Sequence, residues 1–232
     1  VDGIDAAHKL AILASLAFGT QIDFSSVHVE GIRHVSPADQ DFASELGYGI
    51  KLLGIATETE GGIEQRVHPC MVPLGAPIAH VEDVFNAVVV HGNHVETTLY
   101  EGRGAGEGPT SSAVVADIAD IACGRNSRTF GIPASKLAKL NTVAMSERVG
   151  SYYVRFTVID KPGVFAVIAA ALGDHDVSME AVLQRGRAPG EPVSVVLTTH
   201  ETREADIIAT IKTIDKTEAA VEPARVIRIE RF

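Results

Sequence analysis

The pattern of hydrophobic positions predicts three helices in the front half of the chain. Leucines recur at helical spacing in an alanine-rich stretch, which predicts a mostly buried helix over Asp5–Phe18 that stops at Gly19. A second helix is predicted to run to about Leu46, because Ser36 followed by a proline is a typical helix start. A third helix, about Thr110–Cys123, follows a glycine-rich loop.

Between these helices, apolar and polar residues alternate as strands require. Strands are predicted at Val27–Ile32, Ile50–Glu60, Ile63–Pro73, Ala87–His91 and Val95–Tyr100. Gly61-Gly62 and Gly92-Asn93 are typical hairpin turns between them. The region from 27 to 100 is therefore predicted to be a mainly antiparallel sheet covered by helices on one face, which is an α+β arrangement.

The last 80 or so residues show a different order of elements. Strands are predicted at 152–159, 177–184, 193–200 and 221–230, and helices at 163–173 and 203–214. This order is βαββαβ, the ferredoxin-like arrangement. The stretch just before it has weak periodicity and is interpreted as a linker.

Length and composition fit a globular protein with two cores. The chain has 232 residues, more than the usual single domain of roughly 100 to 200. Hydrophobic residues make up 46% and charged residues 22%, which excludes a disordered or fibrous chain. We therefore expect a front region (residues 1–124), a linker (125–150) and a C-terminal region (151–232).

The chain is acidic, with a formal net charge of −10. Residues 1–150 contain 10 Lys and Arg against 18 Asp and Glu, while residues 151–232 contain 10 against 12. No basic run is present and acidic surfaces repel phosphate backbones, so we expect no nucleic-acid partner. The apolar stretches are shorter than the roughly 20 residues that span a bilayer, so we expect no membrane partner.

Cysteines and histidines form no metal or redox motif. Cys70 and Cys123 are the only cysteines, and neither lies in a CxxC or Cys/His ligand spacing. The nine histidines are scattered, so no metal site is expected, and His68-Pro-Cys70 is interpreted as strand packing. Together with a start that lacks signal-peptide features, this favours a reduced, cytoplasmic protein.

Asp5 and Lys9 are the first candidate catalytic residues. They lie four positions apart on the first predicted helix, which places both side chains on one face. One interpretation is an ordinary surface ion pair. The other is a proton-transfer site, which the apolar setting of the helix favours because burial would desolvate the pair.

Three separated segments resemble the homoserine dehydrogenase family, in the family's order. They are Val1–Leu13, with the pattern DGxDAxxK, Phe42–Ala56 and Gly104–Asp117. The resemblance implies reversible NAD(P)-dependent reduction of aspartate 4-semialdehyde to homoserine, in threonine, methionine and isoleucine biosynthesis. It also implies that Lys9 donates a proton to the developing alkoxide, while Asp5 holds the substrate or positions the lysine.

The glycine-rich loop before the third helix is not a dinucleotide fingerprint. The pattern G-x-G-x-x-G fails at Glu107 and Pro109. A structural loop is one interpretation. The resemblance implies another, in which the loop contacts NADP or NAD through Gly104, Ala105, Gly106 and Thr110.

In that family the main cofactor site is an N-terminal Rossmann domain. We expect that domain to precede Val1, because the chain begins almost within a helix and contains no fingerprint of its own. The chain alone is therefore expected to bind cofactor weakly and to be inactive.

The turn Asp160-Lys-Pro-Gly163-Val164 lies between the first strand and first helix of the C-terminal region. An ordinary ferredoxin-like domain is the simplest interpretation. The segment also resembles the ACT domain, whose DxPGVxxxI turn binds amino-acid effectors. That resemblance implies that Asp160, Gly163 and Val164 bind an effector, in this family L-threonine. Asp160 would take the effector's ammonium group or cap the helix.

ACT domains pair through sheet edges or helices, so a homo-oligomer, a dimer or tetramer, is expected. The residues alone also leave two other functions open. One is a stand-alone amino-acid-binding regulatory protein without catalysis. The other is a purely structural oligomerisation unit.

Overall fold

The computed structural model describes residues 1–125, 127–186 and 188–232. Its helices are α1 (Ile4–Phe18), α2 (Pro37–Glu45), α3 (Glu107–Ala122), α4 (Val164–Asp174) and α5 (Glu204–Ile214). None of these helices is long and apolar enough to cross a membrane. Its strands are β1 (His28–Val29), β2 (Tyr48–Thr59), β3 (Gly62–Pro73), β4 (Phe85–Gly92), β5 (Glu96–Arg103), β6 (Val149–Ile159), β7 (Met179–Gln184), β8 (Pro192–Thr199), β9 (Thr202–Arg203) and β10 (Ala220–Ile229).

The C-terminal region has the predicted βαββαβ order. Its strands pair antiparallel in the spatial order β10-β6-β8-β7, with helices α4 and α5 in contact with each other. Apolar residues from both helices and the strands close one core, which includes Tyr152, Phe156, Leu172, Leu197 and Ile207. The mixed α+β class and the ferredoxin-like arrangement are thus confirmed.

The predicted burial of α1 is wrong. Its buried residues are Ala7, Leu10, Ala11, Ala14 and Ser15, whereas Leu13 and Leu16 are 41% and 52% exposed. A spacing of three residues turns a helix by about 300°, so each successive leucine is rotated by about 60° from the one before it. Leu10 therefore faces the sheet, and the two later leucines turn away from it.

Helix α2 begins as its sequence predicts. The Ser36 side chain accepts a hydrogen bond from the Asp39 amide, and the Asp39 carboxylate accepts one from the Ser36 amide, which is a capping box. Phe42 and Ala43 then pack under the sheet. The helix is thereby fixed against both regions of the molecule.

The strands of the front region do not form one sheet, in contrast to the prediction for residues 27–100. β4 and β5 pair only with each other, as a separate ribbon. β1 is only two residues long and pairs parallel to β3, while β2 pairs antiparallel to β3. Alternation in a sequence shows which side chains share a face of a strand, but it does not identify the strand's partner.

The β2–β3 hairpin turns one residue earlier than predicted. Thr59 pairs with Gly62, so Glu60 and Gly61 form the turn. Gly62 lies instead where residue 141 of the expected linker crosses the strand, and a Cβ at this position would collide with the Asn141 carbonyl oxygen. The Ile63 amide also donates to that oxygen at 2.8 Å.

The expected linker, residues 125–150, contains Asn126, which lies outside the described residues. Its later part contacts the front region through isolated bridges, Thr20 to Ala138 and Ile63 to Thr142. Short 3-10 turns at Ala134–Lys136 and Met145–Glu147 interrupt it. The segment therefore runs along the front region before it enters β6.

The two regions share one sheet. β10, the last strand, pairs parallel to β3 of the front region, with Arg228 beside Cys70 and Ile229 beside Met71. Under this joint lies a second core, formed by Phe42 and Ala43 of α2 together with Met71, Tyr153, Val196, Ile227 and Ile229 of four strands. A movement of β10 would therefore displace β3 as well, because the two strands are paired and share this core.

Candidate active site and effector site

Lys9 and Asp5 contact each other on the exposed face of α1. Lys9 Nζ donates a hydrogen bond to Asp5 Oδ2 at 2.7 Å. Their side chains are 69% and 86% exposed, so the prediction that burial desolvates this pair is wrong. The sheet lies on the opposite side of the helix, under Ala7 and Leu10. The hydrogen bond from Lys9 holds the pKa of the Asp5 carboxyl below its usual value, which favours the carboxylate.

The first turn of α1 is anchored to β3. Ala7 is fully buried in a cluster with Val67, and its amide donates to the Gly3 carbonyl at 2.9 Å. Just before the helix, Asp2 accepts two hydrogen bonds from Arg33, at 2.5 and 2.9 Å. The backbone that carries Asp5 and Lys9 is thus held by contacts from both sides, although the two side chains are free to meet a ligand.

The glycine-rich loop leads from β5 into α3. Gly104 packs so closely on β4 that a Cβ would collide with the Asn86 side chain. Gly106 precedes α3 with φ +122°, and among the described residues no side chain caps the helix. A Cβ at Gly106 would touch only Pro109, at 3.5 Å, so a ligand can approach this backbone closely. The Thr110 amide is already used, since it donates to the Gly106 carbonyl at 3.1 Å.

These features fit one contact with a dinucleotide but not a complete binding site. The uncapped amides at the start of α3 suit a polar or anionic group. Glu107 adds a negative charge to the same turn, which disfavours a phosphate there. Contact with a ribose or nicotinamide group is the better fit.

The structure does not join the loop to the lysine–aspartate pair directly. In the described part of the chain, no hydrogen bond or ion pair links Gly104–Thr110 to Asp5 or Lys9. Helix α3, which follows the loop, has no buried residue. The two predicted parts of the active site are therefore both exposed, but they are not in mutual contact.

The predicted effector turn precedes α4 in the C-terminal region. Gly163 adopts φ +92°, a left-handed conformation that favours glycine, and in the part of the chain that the structure describes no side chain caps the helix. The Val164 amide makes only a long contact, 3.4 Å, with the Lys161 carbonyl. The suggestion that Asp160 caps the helix is wrong, because its carboxylate accepts a hydrogen bond from the Ala188 amide at 2.8 Å.

A buried network of charged side chains lies where the two regions meet, and the sequence did not predict it. We call it the junction cluster. It consists of two neighbouring sets of ion pairs, one of Arg228 with Glu30 and Glu204 and one of Glu230 with Arg66 and Arg148. Arg148 binds Glu230 at 2.7 Å and Arg66 reaches the same carboxylate at 3.4 Å. The one signal in the sequence is that Glu64, Arg66 and His68 recur at every second position of the predicted strand Ile63–Pro73, which places them on one face of it.

His68 and Cys70 lie beside this network on β3, and both are fully buried. Cys70 Sγ is 3.1 Å from His68 Nδ1. Together with Glu230 they place ligand-type atoms within 4.8 Å of one another. Burial and nearby arginines lower the pKa of His68 to about 2, and burial raises the pKa of the Cys70 thiol. The imidazole is therefore neutral and the thiol protonated, while Glu230 is occupied by arginines.

A second buried ion pair fixes α2 to the C-terminal region. Arg155 Nε donates to Asp39 Oδ1 at 2.7 Å and the Tyr153 hydroxyl donates to the same oxygen at 3.0 Å. Burial opposes ionisation of Asp39, but hydrogen bonds from Arg155 and Ser36 outweigh it and hold the pKa of Asp39 below its usual value. Asp39 is therefore a structural carboxylate rather than a member of the exposed site.

The fold and these sites define an α+β protein in which an exposed lysine–aspartate helix is joined, through one sheet, to a ferredoxin-like domain. The family model for homoserine dehydrogenase matches residues 1–119, and that for the ACT domain matches residues 152–219. The chain belongs to the homoserine dehydrogenase family and carries an ACT domain.

Full-length relatives show the same similarity across nearly the whole chain. The homoserine dehydrogenase of Neisseria gonorrhoeae is 40% identical over 236 residues, which cover 99% of this chain and 54% of the relative. That of Helicobacter pylori is 40% identical over 230 residues, again 99% and 54%. This chain therefore spans about half the length of the curated relatives it matches.

Solved structures agree with this assignment. A homoserine dehydrogenase from Thiobacillus denitrificans superposes with a TM-score of 0.90 at 40% identity, over 100% of this chain and 54% of that one. The S. aureus enzyme at pH 7.5 gives a TM-score of 0.69 at 25% identity, over 99% and 54%. The arrangement of the two regions around one sheet is thus shared with solved family members.

Proposed function

We propose that this chain supplies the substrate-handling and regulatory portion of a homoserine dehydrogenase. The reaction is the NAD(P)-dependent interconversion of aspartate 4-semialdehyde and homoserine, in threonine, methionine and isoleucine biosynthesis. The observation that carries the proposal is the hydrogen-bonded Lys9–Asp5 pair, exposed on a helix within the segment that the family model matches.

Lys9 acts as the proton donor in this proposal. Negative charge grows on the aldehyde oxygen as the carbonyl carbon is reduced, and an ammonium group within hydrogen-bond reach both stabilises that charge and supplies the proton. Asp5, 2.7 Å from Lys9 Nζ, accepts a hydrogen bond from the ammonium group and orients it. Because both side chains are exposed, Asp5 can also accept a hydrogen bond from the ammonium group of the substrate.

Four residues of the loop before α3 form this chain's proposed contact with NADP or NAD: Gly104, Ala105, Gly106 and Thr110. When bound, the cofactor supplies or accepts the hydride. The open backbone at Gly106 supports the contact. Because the 232 residues contain no G-x-G-x-x-G fingerprint, we expect the chain on its own to bind the cofactor weakly and to be inactive.

The ACT domain is proposed to sense an amino acid, L-threonine, at the turn of Asp160, Gly163 and Val164. Left-handed Gly163 allows a close backbone approach, and the uncapped start of α4 favours a carboxylate. In this proposal Asp160 meets the effector's ammonium group with Oδ1, since its Oδ2 already accepts a hydrogen bond from the Ala188 amide. The exposed strand β7 ends the sheet, and we propose that it pairs in a homo-oligomer, a dimer or tetramer.

A chimera tests the proposed activity. In the Neisseria gonorrhoeae relative, the matched 236-residue segment is replaced by this chain, and NADPH oxidation is followed with aspartate 4-semialdehyde. The chimera is expected to turn over, with the unmodified relative as positive control, whereas this chain alone is not. A folded but inactive chimera contradicts the catalytic proposal, and robust turnover by the chain alone contradicts its predicted inactivity.

A second candidate function is a stand-alone amino-acid-binding regulatory protein without catalysis, which the ACT match favours. Calorimetry with a panel of amino acids separates the two functions. Threonine binding to this chain combined with a folded, inactive chimera would favour the second candidate. No heat from any amino acid with the folded chain would contradict the effector site in both.

A further inference from the structure

Arg228 connects the two regions through two carboxylates. It lies in β10 and is 4% exposed. On the ACT side its Nε donates to Glu204 Oε2 at 3.3 Å, and its NH2 group contacts the other oxygen of the same carboxylate. On the front side its NH1 group contacts Glu30. Because Glu204 is the first residue of α5 and Glu30 directly follows β1, a single guanidinium joins these two elements.

The segment after β1 packs directly on the residues that start α1. The Glu30 amide donates to the Val67 carbonyl of β3 at 2.8 Å, which fixes the segment to the sheet. The Ile32 amide then donates to the Val1 carbonyl at 3.0 Å. Gly31 lies so close to the same carbonyl oxygen that a Cβ would collide with it.

One residue further, the Arg33 side chain binds the Asp2 carboxylate through two hydrogen bonds. Asp2 is three residues before Asp5 and seven before Lys9. An unbroken series of contacts therefore runs from the start of α5, through Arg228 and Glu30, to the first turn of the helix that carries Lys9.

The charge at the centre of this series is permanent. Burial alone would lower the pKa of Arg228, but hydrogen bonds and charges from Glu204 and Glu30 outweigh burial and raise it. A planar guanidinium can hold two carboxylates at once in fixed directions, which a lysine ammonium does not do. The contact of Arg228 with Glu204 and Glu30 is therefore held in one geometry, unlike a surface ion pair.

We propose that Arg228, acting through Glu30, is a positioning residue that sets the place of the Lys9-bearing helix relative to the ACT domain. The significance of Lys9 in this inference rests on the proposed function. A shift of α5 or β10 would displace Glu30 and the segment that packs on the residues before α1. It would thereby move Lys9, the proposed proton donor, without any contact between effector and substrate.

The first test is hydrogen exchange of this chain with Glu30→Gln. Glu30 is one-third exposed, so the isosteric amide removes the charge without emptying the core. The matched control is Glu222→Gln, whose carboxylate is 47% exposed and lies 3.6 Å from the buried Arg155. Glu30→Gln is expected to speed exchange of amides 7–10, the first hydrogen-bonded amides of α1, about tenfold relative to the amides of α4, and Glu222→Gln is expected to leave them unchanged.

A second variant changes the other carboxylate that contacts Arg228, which belongs to the ACT domain. Glu204→Gln leaves the Glu30 contact in place and is expected to speed exchange of the same α1 amides, by a smaller factor. Unchanged exchange of amides 7–10 in both variants overturns the inference. Equal acceleration across the whole chain also overturns it, because that pattern reports global unfolding.

Kinetics of the chimera provide a second measurement, because a purely structural role of Glu30 would leave kcat unchanged. A displaced proton donor weakens the transition state rather than substrate binding, so Glu30→Gln is expected to lower kcat about tenfold with KM nearly unchanged. Glu222→Gln is expected to change neither. An unchanged kcat for Glu30→Gln in an active chimera contradicts positioning, whereas an inactive parent chimera contradicts only the proposed function, and hydrogen exchange still decides this inference.

Discussion

The exposed Lys9–Asp5 pair and the buried Arg155–Asp39 pair have the same 2.7 Å separation but opposite surroundings. The first is largely open to solvent, whereas Asp39 is fully buried and Arg155 nearly so. In the buried pair every strong hydrogen bond is made within the protein. In the exposed pair both groups can still meet a ligand. The buried ion pair therefore stabilises the fold, whereas the exposed ion pair remains available to bind a ligand.

The largest loss of stability is expected from Asp39→Asn. The variant leaves Arg155 buried without its counter-charge, which costs about 3–5 kcal/mol. Urea unfolding of this chain measures the change. The matched control is Asp41→Asn, on the exposed side of the same helix, which is expected to change the free energy of unfolding by less than about 0.5 kcal/mol. Equal effects of the two variants would contradict the comparison.

The same carboxylate predicts a pH dependence. The folded state lowers the pKa of Asp39, so its stabilising contribution is present above the unfolded value of about 3.9 and is lost as pH falls through the folded pKa. The difference in unfolding free energy between the unmodified chain and Asp39→Asn is therefore expected to be largest near neutral pH. Urea titrations at pH 6 and at pH 3 should show it shrinking, and a constant difference would refute the role given to this charge.

The sequence was sufficient for elements whose cause is local. The helix start at Ser36 and the turn before α4 depend on neighbouring residues, and both occur where the pattern predicts them. Lys9 and Asp5 share a face because they are one helical turn apart. These features need no knowledge of distant partners.

The rest depended on partners far away in the chain. Glu30 and Arg228 are 198 positions apart, so no local pattern could show that they are in contact. The position of the β2–β3 turn depends on Asn141, which crosses Gly62. Burial of α1 was overestimated for the same reason, because leucine spacing does not reveal which face the sheet covers. Elements with a local cause are therefore easier to predict from the sequence than contacts between distant segments.

A smaller effect is expected at the exposed turn of Gly163, the proposed effector site, where backbone conformation rather than burial matters. Gly163→Ala places a Cβ on a residue with φ +92°, and a loss of about 1 kcal/mol is expected. Gly173→Ala is the matched control within α4, with open space around its Cβ, and is expected to gain about 0.5–1 kcal/mol. Thermal unfolding measures both, and a stabilising Gly163→Ala would contradict the strain assigned to this turn.

The smallest change in stability is expected at the exposed pair itself. Lys9→Ala removes a contact that solvent already screens, so the unfolding midpoint of this chain should not move measurably. Lys212→Ala, at an exposed position on α5, is the control and should behave alike. If Lys9→Ala clearly destabilised the chain while Lys212→Ala did not, the Lys9–Asp5 pair would also stabilise the fold. The contrast with the Arg155–Asp39 pair would then be lost.

The turnover of Lys9→Ala in the chimera tests the central claim most directly. If Lys9 is the proton donor, kcat should fall at least about 100-fold while the unfolding midpoint stays unchanged, and Lys212→Ala should retain full activity. Full activity of Lys9→Ala in a folded chimera would contradict the claim that this exposed lysine is catalytic.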